Sequence, residues 1–386
     1  MSTTKVRRGV LRGAAVSGLC VLALAGIITI MSCSGGTSPA NTTTGTEATV
    51  DETGAVLTPV VVTEPVGKDS DDPAIWLNPD DPAQSLILGT DKGGSIYAFD
   101  LNGMIIPDKT VTGMGRINNV DVAYGFPLGG VPTDIAVATD RNANLIRAFR
   151  LPEMTPIDNG GIEVFEGQTP DLRRPMGLVL YKRPSDGAFF AVVSRKTGPS
   201  GGYLWQYLIE DDGAGALKFT KVREFGAVSE GGEIEAVVVD DELGYVYYCD
   251  ENAGIRKYLA DPDAPAAAEE LAIFGTEGFL EDREGISIYE INDGTGYIIV
   301  SDQAANTFHI FPREGEPGNP HSHPELKVVH TSTNNSDGND VTNVPIDERF
   351  PSGFFVAMSD DKTFQIYSWD DIAGDDLRKA PRGIVP

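Results

Sequence analysis

The sequence predicts an all-β protein folded as a six-bladed β-propeller, with four antiparallel strands in each blade. Three observations favour this fold. The 386 residues include 44 Gly and 25 Pro, a content that is typical of a chain with many turns. Several segments alternate apolar and polar residues with the period of a β-strand. One strand-turn-strand layout recurs six times, at intervals of about 50 to 58 residues, close to the length of a propeller blade.

Each repeat consists of an apolar strand, a polar or charged pair, a short loop and a second strand that ends in an aromatic residue. The β-branched and aromatic residues in these segments predict β-hairpins. Six near-equal units favour a propeller over a β-sandwich with long connections, and the strand periodicity excludes a helical solenoid. The six hairpins are Leu86–Phe99, Ile135–Phe149, Phe190–Tyr207, Tyr245–Tyr258, Tyr297–Phe311 and Phe354–Tyr367.

A further strand precedes every hairpin, and polar residues stand where it begins; we call these residues the strand entrances. The innermost strand of each propeller blade lines the central channel, so the entrances should converge on one face of the molecule. Nearly all of them supply oxygen ligands. They are Asp71–Pro73, Asn118–Asp121, Arg174–Met176, Glu233–Glu235, Asp282–Gly285 and Asp337–Asp340.

The N-terminus has the features of an export signal. Four Lys/Arg residues precede an apolar run that is short for a spanning helix, and small polar residues follow. Ile30–Cys33 resembles a lipobox, in which the cysteine becomes the lipidated first residue; the alternative is an ordinary signal peptide with an incidental cysteine. We therefore predict a lipoprotein-type signal peptide over 1–33. The protein should be exported and either lipid-anchored through Cys33 at the bacterial envelope (outer membrane or periplasm) or secreted.

Residues 34–58 are mainly Ser, Thr, Gly, Asn and Ala, which bury too little apolar surface to order themselves. This composition predicts a flexible tether and leaves 59–386 for the propeller catalytic domain. That domain contains a single cysteine, Cys249, so no intrachain disulfide is expected despite export. We expect a monomer.

The chain is strongly acidic, with 57 Asp/Glu against 30 Lys/Arg and a net charge of −27. This charge opposes nucleic-acid binding, which needs a basic surface, so no nucleic-acid partner is expected. An acidic excess is commonly only a solvated surface, but it also suits hard divalent cations, which take oxygen ligands. Composition alone does not choose between the two.

The end of the second strand of each blade carries a further pattern. The first three blades place a cation there and the fourth a carboxylate. A single such residue is most often a solvated turn charge, but three cations at one structural position are not expected by chance in so acidic a chain. A cationic arc facing an acidic arc would bind phosphate on one side and Ca²⁺ on the other. The four residues are Lys92, Arg141, Lys196 and Glu251.

Other hydrolase signatures are missing from the sequence. It contains no R-H-G motif of a phosphohistidine phosphatase, no H-E-x-x-H and no Gly-rich loop followed by Lys-Ser/Thr. Its one G-x-S-x-G match, Gly198–Gly202, lies within a predicted hairpin and not at the turn from a strand to a helix that a nucleophile elbow needs. The charge layout instead points to hydrolysis of a phosphate ester by a metal-activated water.

Five motifs, spread from about residue 60 to 370, resemble those of the β-propeller phytases, a family of Ca²⁺-dependent bacterial enzymes. They are Asp71–Trp76 (DDPAIW), Asn118–Asp121 (NNVD), Glu242–Tyr247 (ELGYVY), Glu284–Ile286 and Asp302–Gln303. The resemblance implies a six-bladed propeller and a 3-phytase-like activity. The implied reaction is stepwise hydrolysis of myo-inositol hexakisphosphate (phytate) to lower inositol phosphates and inorganic phosphate, without a covalent intermediate.

The same resemblance implies roles for individual residues. Three cations would bind substrate phosphates, and Asp72 and Glu235 would take part in catalysis beside them. Several Ca²⁺ ions would be held by oxygen ligands. The implied phosphate ligands are Lys92, Arg141 and Lys196. The implied calcium ligands are Asp71, Asp72, Asn119, Asp121, Glu235, Glu251, Asp282, Glu284 and Asp337.

The sequence departs from the family pattern at four places. Family members commonly carry Lys where Gly93 stands, Tyr where Met176 stands, Glu where Thr197 stands and an acidic residue near Val62. These changes would reduce the number of contacts to substrate phosphates, so a slower phytase or a preference for another phosphate ester stays open. Two other functions stay open: a Ca²⁺ propeller hydrolase of lactones or phosphotriesters, for which only His309 lies within a blade strand, and a non-catalytic surface lipoprotein that binds a polyanion or a partner.

Overall fold

The computed structural model describes residues 49–50 and 55–381 and forms six β-sheets around a central channel. The innermost strands contact one another in chain order, and that of the sixth sheet contacts that of the first. The ring is therefore closed, and the predicted six-bladed β-propeller is confirmed.

Every blade has three antiparallel strands, the second and third of which form the hairpin that the sequence predicts. Blades 1 to 3 contain Ser70–Trp76, Leu86–Asp91 and Ser95–Phe99; Ile117–Leu128, Val131–Asp140 and Leu145–Arg150; and Pro175–Lys182, Phe189–Arg195 and Gly201–Asp211. Blades 4 to 6 contain Val237–Asp240, Tyr245–Asp250 and Gly254–Leu259; Ile286–Glu290, Gly296–Asp302 and Thr307–Pro312; and Asn339–Thr342, Phe354–Ser359 and Thr363–Ser368.

The outermost strand differs from blade to blade. In blade 6 it is Val61–Val62, from the N-terminal side of the domain, so both ends of the propeller chain meet in one sheet. In blade 1 its place is taken only by isolated bridges, from Ile96 to Val111 and from Phe99 to Ile105. The remaining outer strands are Thr155–Pro156 and Ile162–Glu163 in blade 2, Leu217–Ala227 in blade 3, Ala272–Phe274 in blade 4 and Lys327–His330 in blade 5.

Six apolar clusters hold the blades together, one between each pair of neighbours, including blades 6 and 1. Successive side chains of a strand point to opposite faces of its sheet. Along the second strand of blade 2, Ile135 and Val137 accordingly pack towards blade 3, whereas Ala136 and Ala138 pack towards blade 1. Both faces of each blade are thus buried, and the inner strands are fixed firmly around the channel.

Helical structure in the described chain is confined to short segments: the α-helix Trp369–Ala373 and the 3₁₀ turns Pro82–Gln84, Pro107–Lys109 and Pro170–Leu172. None of the helices in the described ranges has the length and hydropathy needed to cross a membrane.

The predicted signal peptide lies outside the described residues, as does most of the predicted tether. Two parts of that tether are described. Thr49–Val50 pairs in parallel with Lys327–His330 of blade 5, and the Leu57 N–H donates to the carbonyl of His330 at 2.8 Å. These parts lie along the outer edge of blade 5.

Candidate active site

One backbone hydrogen bond, repeated in five blades, brings the predicted charged residues to the same face. The residue that follows the second strand donates its N–H to a carbonyl at or just before the entrance of the same blade, at 2.8–3.3 Å. Its side chain therefore starts from an equivalent position in each of these five blades, beside the mouth of the channel. The donors are Lys92, Arg141, Lys196, Glu251 and Gln303, and the acceptors are Asp69, Arg116, Arg174, Glu233 and Asp282.

Lys92 is the centre of a buried ionic network. Its Nζ lies 3.2 Å from Asp71 Oδ1 and 2.5 Å from Asp337 Oδ2. The Asn118 amide bridges two carboxylates, donating to Asp71 Oδ2 at 2.5 Å and to Glu235 Oε1 at 3.1 Å. Residues of four blades (1, 2, 4 and 6) therefore meet in one network, with Asp71 only 1% exposed at its centre.

The other two predicted cations are also paired with carboxylates. Arg141 Nη2 lies 3.3 Å from Glu235 Oε1 and contacts the sulfur of Met176. Lys196, which is more exposed, is paired with Glu233. In place of a cationic arc facing an acidic arc, the structure interleaves the two charges, so that each cation already has a carboxylate partner.

Glu235, Glu251 and Glu284 form a second cluster, which we call the acid triad. Each offers a carboxylate oxygen, and these oxygens lie within 4.8 Å of one another. Burial raises the pKa of all three carboxyls: that of Glu251 to about 8, with help from the charge of Glu233, and that of Glu284 well above its usual range, with help from Glu235. Asp282 stands beside them, and its charge raises the pKa of Glu251 and of Glu284.

The acid triad fits a hard divalent cation. Three carboxylates that approach one another in a buried place repel unless a positive charge is shared among them. Glu284 Oε2 is buried and accepts no hydrogen bond, so one oxygen donor of the cluster has no partner within the described chain. Oxygen donors of this kind are the ligands that Ca²⁺ takes.

Asp71 and Asp72 occupy the first entrance, at the mouth of the channel. Burial raises the pKa of both carboxyls well above the usual range, and the nearby charge of Glu235 adds to the effect on Asp71. Asp72 Oδ2 also accepts the N–H of Val120, at 3.3 Å, from the inner strand of blade 2. The two neighbouring carboxyls thus differ: Asp71 belongs to the ionic network, and Asp72 bridges blades.

Asn119 and Asp121, both predicted as calcium ligands, make the same kind of bridge to blade 3. Asn119 Oδ1 accepts the Leu178 N–H at 2.9 Å, and Asp121 Oδ2 accepts the Leu180 N–H at 2.6 Å. An inner strand is the edge of its sheet, so its channel-side N–H groups have no ladder partner and need one from a neighbouring blade. Carboxylates have further lone pairs, so these bonds leave metal binding open.

Three residues of this face were not assigned a role from the sequence. Asn118 bridges two carboxylates, Gln303 Nε2 donates to Asp337 Oδ1 at 2.5 Å, and Asp340 Oδ2 accepts the N–H of Ile75 at 2.8 Å. The signal was available for Asp340, since it ends the sixth entrance as Asp121 ends the second. For Asn118 and Gln303 the sequence shows only that they occupy the same places in their repeats as the charged residues of other blades.

The fold and the site define a class of protein: a six-bladed β-propeller with interleaved cations and carboxylates around one mouth of its channel. Comparison with known proteins agrees with this class. The family described as phytase matches residues 23–381. A 3-phytase of Bacillus subtilis (strain 168) is 31% identical over 332 residues, which cover 81% of this chain and 83% of that protein. The chain belongs to the phytase family and is a phytate-hydrolysing phosphoric monoester hydrolase.

Among solved structures, the β-propeller domain of Cps50 (Swd1) from Myceliophteria thermophila aligns with 79% of this chain and 85% of its own, with a TM-score of 0.46 and 11% identity. A likeness this distant adds nothing to the family assignment.

Proposed function

We propose that the protein is a Ca²⁺-dependent, 3-phytase-like enzyme that releases inorganic phosphate from phytate. One observation supports the calcium dependence most strongly. Glu235 belongs both to the acid triad and to the ion pair with Arg141. A cation held by the triad and a phosphate held by Arg141 would therefore be immediate neighbours.

Several calcium ions are proposed, because the oxygen ligands around the mouth of the channel exceed what one ion needs. Bound calcium supplies a Lewis acid that polarises a phosphoryl oxygen and lowers the pKa of a bound water. The proposed ligands are the acid triad together with Asp71, Asp72, Asn119, Asp121, Asp282 and Asp337.

The cations of the chain have the complementary task of binding phosphate. Arg141 would present donors in a fixed plane that matches two phosphate oxygens, whereas Lys92 and Lys196 would act as point charges. During hydrolysis the oxygen of water bonds to phosphorus, and the ester P–O bond breaks to leave an inositol hydroxyl and inorganic phosphate. Lys92 and Arg141 would stabilise the negative charge on the transferred group, while Lys196, further out, would orient another phosphate of the substrate. Asp72 and Glu235 would act beside these cations as calcium ligands.

The decisive experiment measures phosphate release from phytate in millimolar Ca²⁺ and in excess chelator. We expect release only with Ca²⁺, loss of release in the Lys92/Arg141/Lys196 triple alanine variant, and a higher calcium requirement in Glu284→Gln. Lys218→Ala, which removes an exposed lysine of the outer strand of blade 3, is the matched control and should behave as the native protein. Release in chelator, or full activity of the triple variant, would overturn the proposal.

The cellular location and oligomeric state are proposed on the sequence alone. We propose export, with a lipid on Cys33 as the attachment to the membrane, and a monomeric enzyme. The mass of the N-terminal peptide from detergent-extracted protein tests the lipid, and light scattering tests the monomer.

A further inference from the structure

Arg283 lies between two residues of the proposed calcium site, and its own side chain is buried. It is 6% exposed, and its guanidinium donates to two backbone carbonyls: from Nε to Gly275 at 3.0 Å and from Nη1 to Glu251 at 2.7 Å. Burial lowers the pKa of this guanidinium. A buried cation bonded to carbonyls costs free energy that an aliphatic residue of similar size would not, so the position calls for an explanation.

The contacts of Arg283 link two members of the acid triad. Glu284 follows Arg283 directly in the entrance of blade 5, whereas Glu251 follows the second strand of blade 4. The bond from Arg283 to the Glu251 carbonyl therefore ties these two positions together across the gap between blades. On its other side, Glu251 is bonded twice to Glu233: Glu251 Oε2 accepts the Glu233 N–H at 3.2 Å, and the Glu251 N–H donates to the Glu233 carbonyl at 3.3 Å. Glu251 is thus held between Glu233 and Arg283.

A stack of side chains fixes the Arg283 guanidinium in turn. The guanidinium carbon lies 4.2 Å from the centre of the Phe279 ring, and the other partner of that ring is His309, stacked at 3.9 Å with a 19° angle between planes. His309 is buried, and its Nδ1 lies 2.5 Å from Glu325 Oε2. The loop that leads to Asp282 is thus clamped onto blade 5 through Phe279.

We propose that Arg283 is a positioning residue that sets the spacing of Glu251 and Glu284 for a divalent cation, with the stack of Phe279 and His309 holding it in place. This inference rests on the proposed calcium dependence. The planar guanidinium bonds two carbonyls in fixed directions, which the single ammonium of a lysine cannot do. Residues that orient metal ligands from behind typically change metal affinity about 10- to 100-fold when they are replaced.

The test is calorimetric titration of the metal-free protein with Ca²⁺, with the calcium dependence of turnover as a second readout. Glu284→Gln first identifies which binding event belongs to the acid triad. We expect Arg283→Met to weaken that event about 10- to 100-fold, to leave the other events unchanged and to keep kcat at saturating Ca²⁺ within about twofold of the native value. The calcium affinity of Arg283→Lys should lie between that of the native protein and that of Arg283→Met.

Leu280→Ala is the matched control, because Leu280 is 68% exposed in the same loop and its side chain is not part of the stack; its calcium affinity should be native. Native affinity in Arg283→Met, accompanied only by a lower melting temperature, would overturn the inference and leave a merely structural arginine. If Arg283→Met does not fold, native affinity in both Arg283→Lys and Phe279→Leu would overturn it instead. Equal binding by the native protein and Glu284→Gln would refute calcium at the triad itself, and this inference with it.

Discussion

Replacement of Lys92 by methionine removes the cation that balances two buried carboxylates. Asp71 Oδ1 and Asp337 Oδ2 lie 3.2 Å and 2.5 Å from Lys92 Nζ, and the side chains of Lys92 and Asp337 are only 13% and 12% exposed. Burial alone would lower the pKa of Lys92, but the two carboxylates outweigh it and raise that pKa. Removing one partner of a buried pair costs about 3–5 kcal/mol. Because Asn118 and Gln303 still donate to the two carboxylates, we expect the lower value, about 3 kcal/mol, in the free energy of unfolding without calcium.

Urea denaturation in chelator and in excess Ca²⁺ measures this loss. Since Ca²⁺ can replace the missing positive charge, the free energy of unfolding should recover with calcium, and by more than calcium adds to the native protein. Phosphate release should nevertheless stay about 10²- to 10³-fold below native, because no donor replaces Lys92 at the phosphate. A free energy of unfolding within about 0.5 kcal/mol of native in chelator, or turnover restored by calcium, would refute the reasoning. Lys218→Met serves as the control.

Three further predictions concern the scaffold. Arg313→Met leaves the fully buried Asp240 without its cation, since the Asp240 oxygens lie 2.5 and 2.6 Å from the Arg313 guanidinium. The free energy of unfolding measured in urea should fall by about 3–5 kcal/mol, and a loss below about 1 kcal/mol would contradict this prediction. Gly89→Ala places a Cβ 2.2 Å from the Phe364 ring of blade 6 and should cost about 1–3 kcal/mol, seen as a lower melting temperature; an unchanged melt would mean that the ring moves freely. Burial lowers the pKa of His323 to about 4, below its usual 6.5, so the unfolded chain takes up a proton first as pH falls from 6.5 to 4. Stability should drop by up to about 3 kcal/mol over that range, with a shallower fall in His323→Gln; equal slopes would contradict it.

The hairpins and the ring of charged residues could be predicted from the sequence because both depend on local order. Period-two alternation marks each strand, and a repeating unit places equivalent residues at equivalent heights. The second strands of blades 1 and 2 end at Asp91 and Asp140, and Lys92 and Arg141 are the next residues. Their position in the repeat is therefore enough to place them on this face of the propeller.

The pairing of those charges could not be predicted, because it depends on which side chains meet across blades. Asp337 is 245 positions from Lys92, and no local pattern shows that their atoms lie 2.5 Å apart. The closing strand Val61–Val62 is even farther along the chain from its partner in blade 6, since Val61 pairs with Ile366. The bridges from Asn119 and Asp121 also depend on geometry, since they arise from the unpaired channel-side N–H groups of an inner strand. Residue types therefore predicted the chemistry of the face but not its charge balance.

The ion pair between Arg141 and Glu235 links the proposed binding of calcium to the proposed binding of phosphate. Arg141 is 9% exposed, with Met176 on one side and Glu235 on another, so its guanidinium has little free surface for a phosphate while Glu235 stays paired with it. A cation held by the acid triad would draw the charge of Glu235 away from Arg141 and free donors of that guanidinium. Gly93 limits the alternatives, because a Cβ there would lie about 3 Å from the Asp91 carboxylate and from the Lys68 side chain, so another cation cannot enter at that position without rearrangement. Calcium and phosphate should therefore bind to this site with positive coupling, because the carboxylate that calcium would bind is the one that must leave Arg141 before a phosphate can pair with it.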